Sequence, residues 1–139
     1  MTLKASGLSV GVSHSAVVVE NLTRTQIVQY AGASGDYNPL HTDEVFATQI
    51  AGYPSVFAHG MLTMGLTGKM LTDYVGDCRL TRFGGRFTSQ VWPGDTLTST
   101  ATVTAIRAEN GVSLVDFDVV TENQSGDAVF SGSATARLD

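Results

Sequence analysis

The spacing of apolar residues changes near residue 80 of this chain. Before it, apolar positions recur at helical intervals. After it, they alternate with polar ones. Val17-Val18-Val19 is a short β-branched run and predicts a first strand. Thr23, followed three residues later by Gln26, has the capping-box pattern, so a helix is expected to begin there. Ile27, Tyr30 and Ala31 give that helix one apolar face, and Gly35 suits its C-terminal stop. Thr42-Asp43-Glu44 predicts a second, short helix, with Phe46 and Ile50 sharing a face and acids in the first turn. A third helix is expected from about Ala58 to Val75. Met61, Leu62, Met64, Leu66, Met70, Leu71, Tyr74 and Val75 leave it little polar surface, so it is read as buried nearly all round. Gly60, Gly65 and Gly68 each weaken a helix by about 1 kcal/mol relative to Ala, so a sheet or a ligand is expected to approach its backbone.

Beyond Arg79 the pattern predicts strands at Leu80-Phe83, Arg86-Val91, Leu97-Arg107, Val112-Glu122 and Ala128-Arg137. Turns fall at Pro93-Gly94-Asp95, Asn110-Gly111 and Ser125-Gly126-Asp127, the second being a strong two-residue hairpin signal. Thr98, Thr100, Thr102 and Thr104 alternate with apolar residues, as do Asp116 and Asp118 against Val115, Phe117 and Val119. This is an antiparallel meander with one wet face. A long buried helix followed by such a meander predicts one α+β domain over residues 1–139, with the sheet curved around the helix.

Composition narrows the function. The net charge of −5 and the absence of a basic stripe exclude a nucleic-acid partner. No apolar run reaches the ~20 residues of a membrane span, and the N-terminus lacks the apolar core of a signal peptide. The one cysteine, Cys78, cannot form an internal disulfide and has no base beside it. It is read as a plain structural thiol, and a reducing, cytoplasmic setting is expected.

The candidate chemistry lies in SGDYNPLH, Ser34 to His41, which holds an acid and a base five residues apart. On one straight helix Asp36 and His41 would point about 140° apart. In an extended strand they would stand ~16 Å apart. Asn38-Pro39 permits neither, because Pro39 disfavours helical backbone at Asn38 and the chain must turn. A turn can bring both side chains to one point. A solvated loop that merely contains Asp and His has the same spacing, and spacing alone leaves both readings open.

The run Tyr30 to His41, with its Gly35-Asp36-Tyr37-Asn38-Pro39-Leu40-His41 core, and the run Phe57-Ala58-His59-Gly60-Met61-Leu62 together resemble the MaoC-like, (R)-specific enoyl hydratase/dehydratase family. The chain looks particularly like the catalytic subunits of mycobacterial 3-hydroxyacyl-ACP dehydratases. The resemblance continues through Phe87-Thr88 and Pro93-Gly94-Asp95 and covers nearly the whole chain. It implies a hotdog fold, a long helix wrapped by an antiparallel sheet, paired with a second hotdog as a homodimer or heterodimer. It implies hydration of trans-2-enoyl thioesters, or the reverse dehydration of (R)-3-hydroxyacyl thioesters, on CoA or an acyl carrier protein (ACP). Asp36 and His41 match the catalytic pair. Gly60 matches the residue whose backbone N–H would polarise the thioester carbonyl.

For the pair to work, His41 can exchange a proton near neutrality, whereas Asp36 needs burial to raise it from ~3.9. Asn38 and His59 are the further candidates for substrate contact. The alternative is that Asn38 fixes the turn and His59 is structural, capping the helix or hydrogen-bonded internally. Asp36, His41 and His59 lack recognised metal-ligand spacing, so no metal and no cofactor is assigned. Some family members carry a serine two turns past the glycine, and here only Thr67 could take its place. Lys69, Arg79, Arg82, Arg86 and Arg107 are candidates for carrier phosphates. The competing functions are a non-catalytic hotdog partner subunit, an acyl-thioester binding protein without turnover, and an acyl-CoA thioesterase. A thioesterase generally places its acid on the central helix, where this chain has only Asp73 near the far end.

Overall fold

The computed structural model describes residues 2–139. Strand β1 (Ser13–Val19) leads into helix α1 (Arg24–Ser34). A 3-10 turn (Pro39–His41) and a π-helical turn (Phe46–Ile50) follow, and then helix α2 (Gly60–Val75). Strands β2 (Leu80–Phe87), β3 (Leu97–Glu109), β4 (Val112–Glu122) and β5 (Ala128–Leu138) complete the chain. All five strands form one antiparallel sheet in the order β1-β3-β4-β5-β2. The chain leaves one edge of the sheet at β1, crosses it through the helices, and re-enters at the opposite edge as β2. The meander β3-β4-β5 fills the space between the edges.

Sequence-local signals place the ends of the elements. Thr23 and Gln26 form the full capping box of α1. Gly35 ends that helix in the left-handed region, φ 74°, with its N–H donating to Ala31 O at 3.0 Å. Asn110 and Gly111 both have positive φ, as the tight β3-β4 hairpin requires. Leu97, Ser99, Ala101 and Val103 of β3 point inward, while the threonines between them face out.

Two clusters build the core. In one, Met70, Leu71 and Val75 of α2 pack on Ala101, Val103, Val115, Phe117, Val119 and Phe130 of the sheet. The other joins Leu22 and Ile27 to Ala58, Val91, Leu97 and Val129. It anchors the residues just before α2, where the candidate site lies.

Several expectations are corrected. The two strands read at Leu80-Phe83 and Arg86-Val91 are one strand, and residues 88–91 leave the sheet. Gly85 sits inside that strand because β2 and β5 approach closely there, whereas a Cβ on Gly84 would meet open space. A Cβ on Gly85 would lie 2.5 Å from Ser131 O, and one on Gly132 would overlap Gly84 O. Helix α2 begins at Gly60 rather than Ala58, and it is not buried all round. Thr63, Thr67, Met70, Leu71 and Val75 are buried, whereas Met61 is 55% exposed and Gly65, Lys69 and Asp73 face outward. The sheet of one chain covers only one side of the helix. Gly60 and Gly68 do accommodate a close neighbour, since their Cβ positions fall 2.8 Å from the Phe87 ring and 3.3 Å from the Phe83 ring. Gly65 faces open space. The second helix is a short turn whose wide pitch closes from Ala51 N–H to Phe46 O. Its buried residue is Ala47, and Ile50 is exposed. Cys78 is exposed, in a turn with φ 63°, rather than buried in the structure. No helix among the described residues is long and apolar enough to cross a membrane.

Candidate active site

The loop after α1 is built from its own polar side chains. Gly35 turns the chain out of the helix, and Asp36 N–H donates to Ser34 Oγ at 3.2 Å. Asp36 Oδ1 accepts from Asn38 N–H at 3.3 Å, and Asn38 Oδ1 accepts from Leu40 N–H at 3.0 Å. Asn38 thereby caps the 3-10 turn that Pro39 opens, and His41 closes it. The Asn38 side chain fixes the turn, as one of the two sequence readings held.

The turn delivers what the spacing required of it. Ionisable atoms of Asp36, His41 and His59 all lie within 4.8 Å of one another. His41 is 9% exposed, and its Nδ1 lies 2.6 Å from Phe57 O. A carbonyl only accepts, so in the neutral ring Nδ1 carries the proton and Nε2 presents a lone pair. His59 Nε2 lies 3.0 Å from the Asp36 backbone oxygen, and the His41 and His59 rings stack with centroids 3.8 Å apart. Burial pushes the His41 pKa below its ordinary value and the neighbouring His59 adds to this. The hydrogen bond to Phe57 and the charge of Asp36 act in the opposite direction. Asp36 itself is exposed in the single chain, so its own fold does not supply the burial expected of it.

Gly60 opens α2 beside this pair. His59 makes no side-chain cap, and neither Gly60 nor Met61 donates its N–H to an acceptor among the described residues. The open N–H groups and the helix dipole favour developing negative charge there. A groove of about 310 Å³ runs past Gly60, between Phe57, Thr63, Phe87, Gln90 and Val91. His59 does not line it and is 2% exposed. The sequence reading missed Phe57, whose carbonyl holds His41, and Phe87, whose ring covers the Gly60 Cα. Both stand in the runs that carry the family resemblance, yet neither has a polar side chain to mark it as a site residue.

Other candidates separate from the site. Thr67 donates to Thr63 O at 2.9 Å and meets the hydroxyls of Thr121 and Ser99, also buried, at 2.7 and 3.2 Å. Its hydroxyl is therefore engaged within the core. Lys69 pairs with Asp73, Arg79 with Asp139, and Arg107 with Asp116 and Glu109. Arg82 and Arg86, both on edge strand β2, form no ion pair among the described residues. Asp36, His41 and His59 could each offer a metal one ligand atom, but the two imidazoles are stacked at 25°. The lone pairs of stacked rings lie in nearly parallel planes 3.8 Å apart at the centroids and do not readily meet at one tetrahedral ion.

A long helix packed along one face of a five-stranded antiparallel sheet is the hotdog fold. Residues 9–124 match the family described as MaoC like domain, and the chain belongs to that family. The 3-hydroxyacyl-thioester dehydratase Y of Mycobacterium tuberculosis is 45% identical over 69 residues, which are 48% of this chain and 24% of the relative. The chain thus spans about a quarter of the length of the first curated relatives it matches. Among solved structures, the A. caviae (R)-hydratase involved in PHA biosynthesis superposes with a TM-score of 0.84 at 26% identity, covering 97% of this chain and 100% of that one. A chain of the ChsH1-ChsH2 complex from M. tuberculosis shares the fold at a TM-score of 0.75 and 22% identity, covering 94% and 98%.

Proposed function

We propose that this protein interconverts trans-2-enoyl and (R)-3-hydroxyacyl thioesters, carried on CoA or ACP, by adding or removing water. The observation that carries this reading is the Asp36-His41 pair, brought together beside the uncapped start of α2. In the hydration direction the dyad holds one water. A proton leaves that water as its oxygen bonds C3, the C2–C3 π electrons shift toward the thioester, and a proton is delivered to C2. The Gly60 N–H stabilises the negative charge that develops on the carbonyl oxygen. The groove past Gly60 would hold the acyl chain, and Arg82 or Arg86 would meet the carrier phosphates. A thioesterase is disfavoured because Asp73 is exposed and tied to Lys69 at 2.6 Å. The working unit is a pair of hotdogs, identical or not. The exposed side of α2 and the exposure of Asp36 in a single chain support this.

The reading is tested by following loss of enoyl-thioester absorbance on crotonyl-CoA and longer trans-2-enoyl-CoA esters. Turnover is expected, and its absence across the series, with and without an ACP carrier, would overturn the proposal.

The pH dependence has a defined sign. Protonated His41 has no lone pair to hold the water, so kcat/KM falls as pH drops through its free-enzyme pKa. That pKa is lowered, so the acid limb is expected below the ordinary ~6.5. A limb centred above that value would contradict the assignment.

Gly60→Ala keeps the N–H but adds a methyl beside it and against the Phe87 ring. The methyl is expected to hold the thioester carbonyl off that N–H, and misplacement on the order of 1 Å costs about 10²-fold in kcat; the loss should persist in Gly60→Ala/Phe87→Ala, where the ring collision is gone. Recovery in the double variant would assign the loss to Phe87 and argue against the oxyanion role.

A further inference from the structure

Two backbone segments meet at the site, and a histidine from each reaches the backbone of the other. His41 donates from Nδ1 to Phe57 O at 2.6 Å, and His59 donates from Nε2 to Asp36 O at 3.0 Å. Their rings stack between these two bonds at 3.8 Å, and Phe57 N–H adds a third link to Leu40 O at 3.3 Å. One segment carries the acid and the base. The other ends at Gly60, the proposed oxyanion donor.

His59 is 2% exposed, and its Nδ1 is buried with no hydrogen-bond partner among the described residues. A buried nitrogen without a partner is costly. Phenylalanine would fill the same space, stack on His41 and meet the edge of Tyr30 without that cost. The imidazole adds one thing, the Nε2–H donated to Asp36 O.

We propose that His59 is a positioning residue for the reaction, its Nε2–H holding the Asp36 backbone so that Asp36, His41 and the Gly60 N–H stay in register. The proposal rests on the dyad reading given above. It assigns His59 to the main chain of Asp36 rather than to substrate, since the Nε2–H is taken by Asp36 O and the ring is 2% exposed. Its bond fixes the main chain at Asp36, whose side chain is exposed and, among the described residues, accepts only from the Asn38 N–H. Misplacement on the order of 1 Å is enough to cost about 10²-fold in rate.

The test compares wild type with His59→Phe, which keeps the ring and loses the donor, and His59→Gln, which keeps an N–H donor. Three readouts are taken: kcat and KM on enoyl-CoA, the thermal midpoint, and the imidazole tautomers by 15N NMR. The expected result is a kcat lowered about 10- to 100-fold in His59→Phe, with KM within a factor of about two and partial recovery in His59→Gln. His59 is expected as the Nε2–H tautomer and His41 as the Nδ1–H tautomer. A purely structural histidine would lower the thermal midpoint of His59→Phe and leave kcat of the folded enzyme unchanged, which overturns the proposal. An Nδ1–H tautomer at His59 also overturns it, and that readout needs no turnover. Failure here with an active wild type leaves the hydratase reading standing. An inactive wild type with the Nε2–H tautomer removes the hydratase reading and leaves the bond to Asp36 intact.

Discussion

Asp36→Asn and His41→Gln are each expected to lower kcat for enoyl-thioester hydration by about 10³-fold, within the range for loss of a positioned acid or base. The expectation depends on the loop surviving, and its bonding says that it does. Asparagine at position 36 keeps a carbonyl oxygen to accept from Asn38 N–H, so the turn through Asn38 and Pro39 is retained. Asp36 is exposed, so its replacement removes no buried charge. Glutamine at position 41 keeps a donor within range of Phe57 O, the partner His41 now uses. Thermal midpoints should therefore change little while turnover collapses. The two residues act on one water, so the double variant should be about as slow as either single one rather than multiplicatively slower. Wild-type rates in both variants would mean that SGDYNPLH is only a turn.

Phe117→Ala is expected to destabilise the fold by about 3–5 kcal/mol, a large share of the ~5–15 kcal/mol that holds a domain of this size together. Phe117 is 1% exposed, lies on central strand β4, and meets the Tyr74 ring of α2 at 6.1 Å. Neighbours on both strands and on the helix are fixed by their own packing, so the cavity cannot close. The thermal midpoint should fall by about 10 °C or more. Phe87→Ala is the control, because that ring is 47% exposed at the end of edge strand β2, and its loss should cost no more than about 1 kcal/mol. Equal destabilisation by the two variants, measured by chemical denaturation, would contradict the assignment of the core.

How far the sequence was legible depends on how local each signal is. The Thr23-Gln26 capping box, the Gly35 stop and the Asn110-Gly111 hairpin are decided within a few residues, and all three stand as read. Glycines were harder. Gly84-Gly85 looks like a strand break, yet the meaning of Gly85 lies with Ser131 and Gly132 on a different strand, whose backbone comes too close for a side chain. The apolar composition of α2 was visible, but which side the sheet covers was not, because that depends on what packs where. The turn that unites Asp36 and His41 followed from Asn38-Pro39. The exposure of Asp36 and the two carbonyl bonds that lace the segments together did not follow. They join residues 16 and 23 positions apart, and no periodicity connects them.

The most direct test of the central claim is the chirality and fate of the product. Wild type would be incubated with trans-2-enoyl-CoA esters of short, medium and long chain. The 3-hydroxyacyl-CoA would be resolved by chiral chromatography, and free CoA would be assayed in the same samples. The expected outcome is (R)-3-hydroxyacyl-CoA with the thioester intact. An (S) product, or release of free CoA without hydration, would contradict the account.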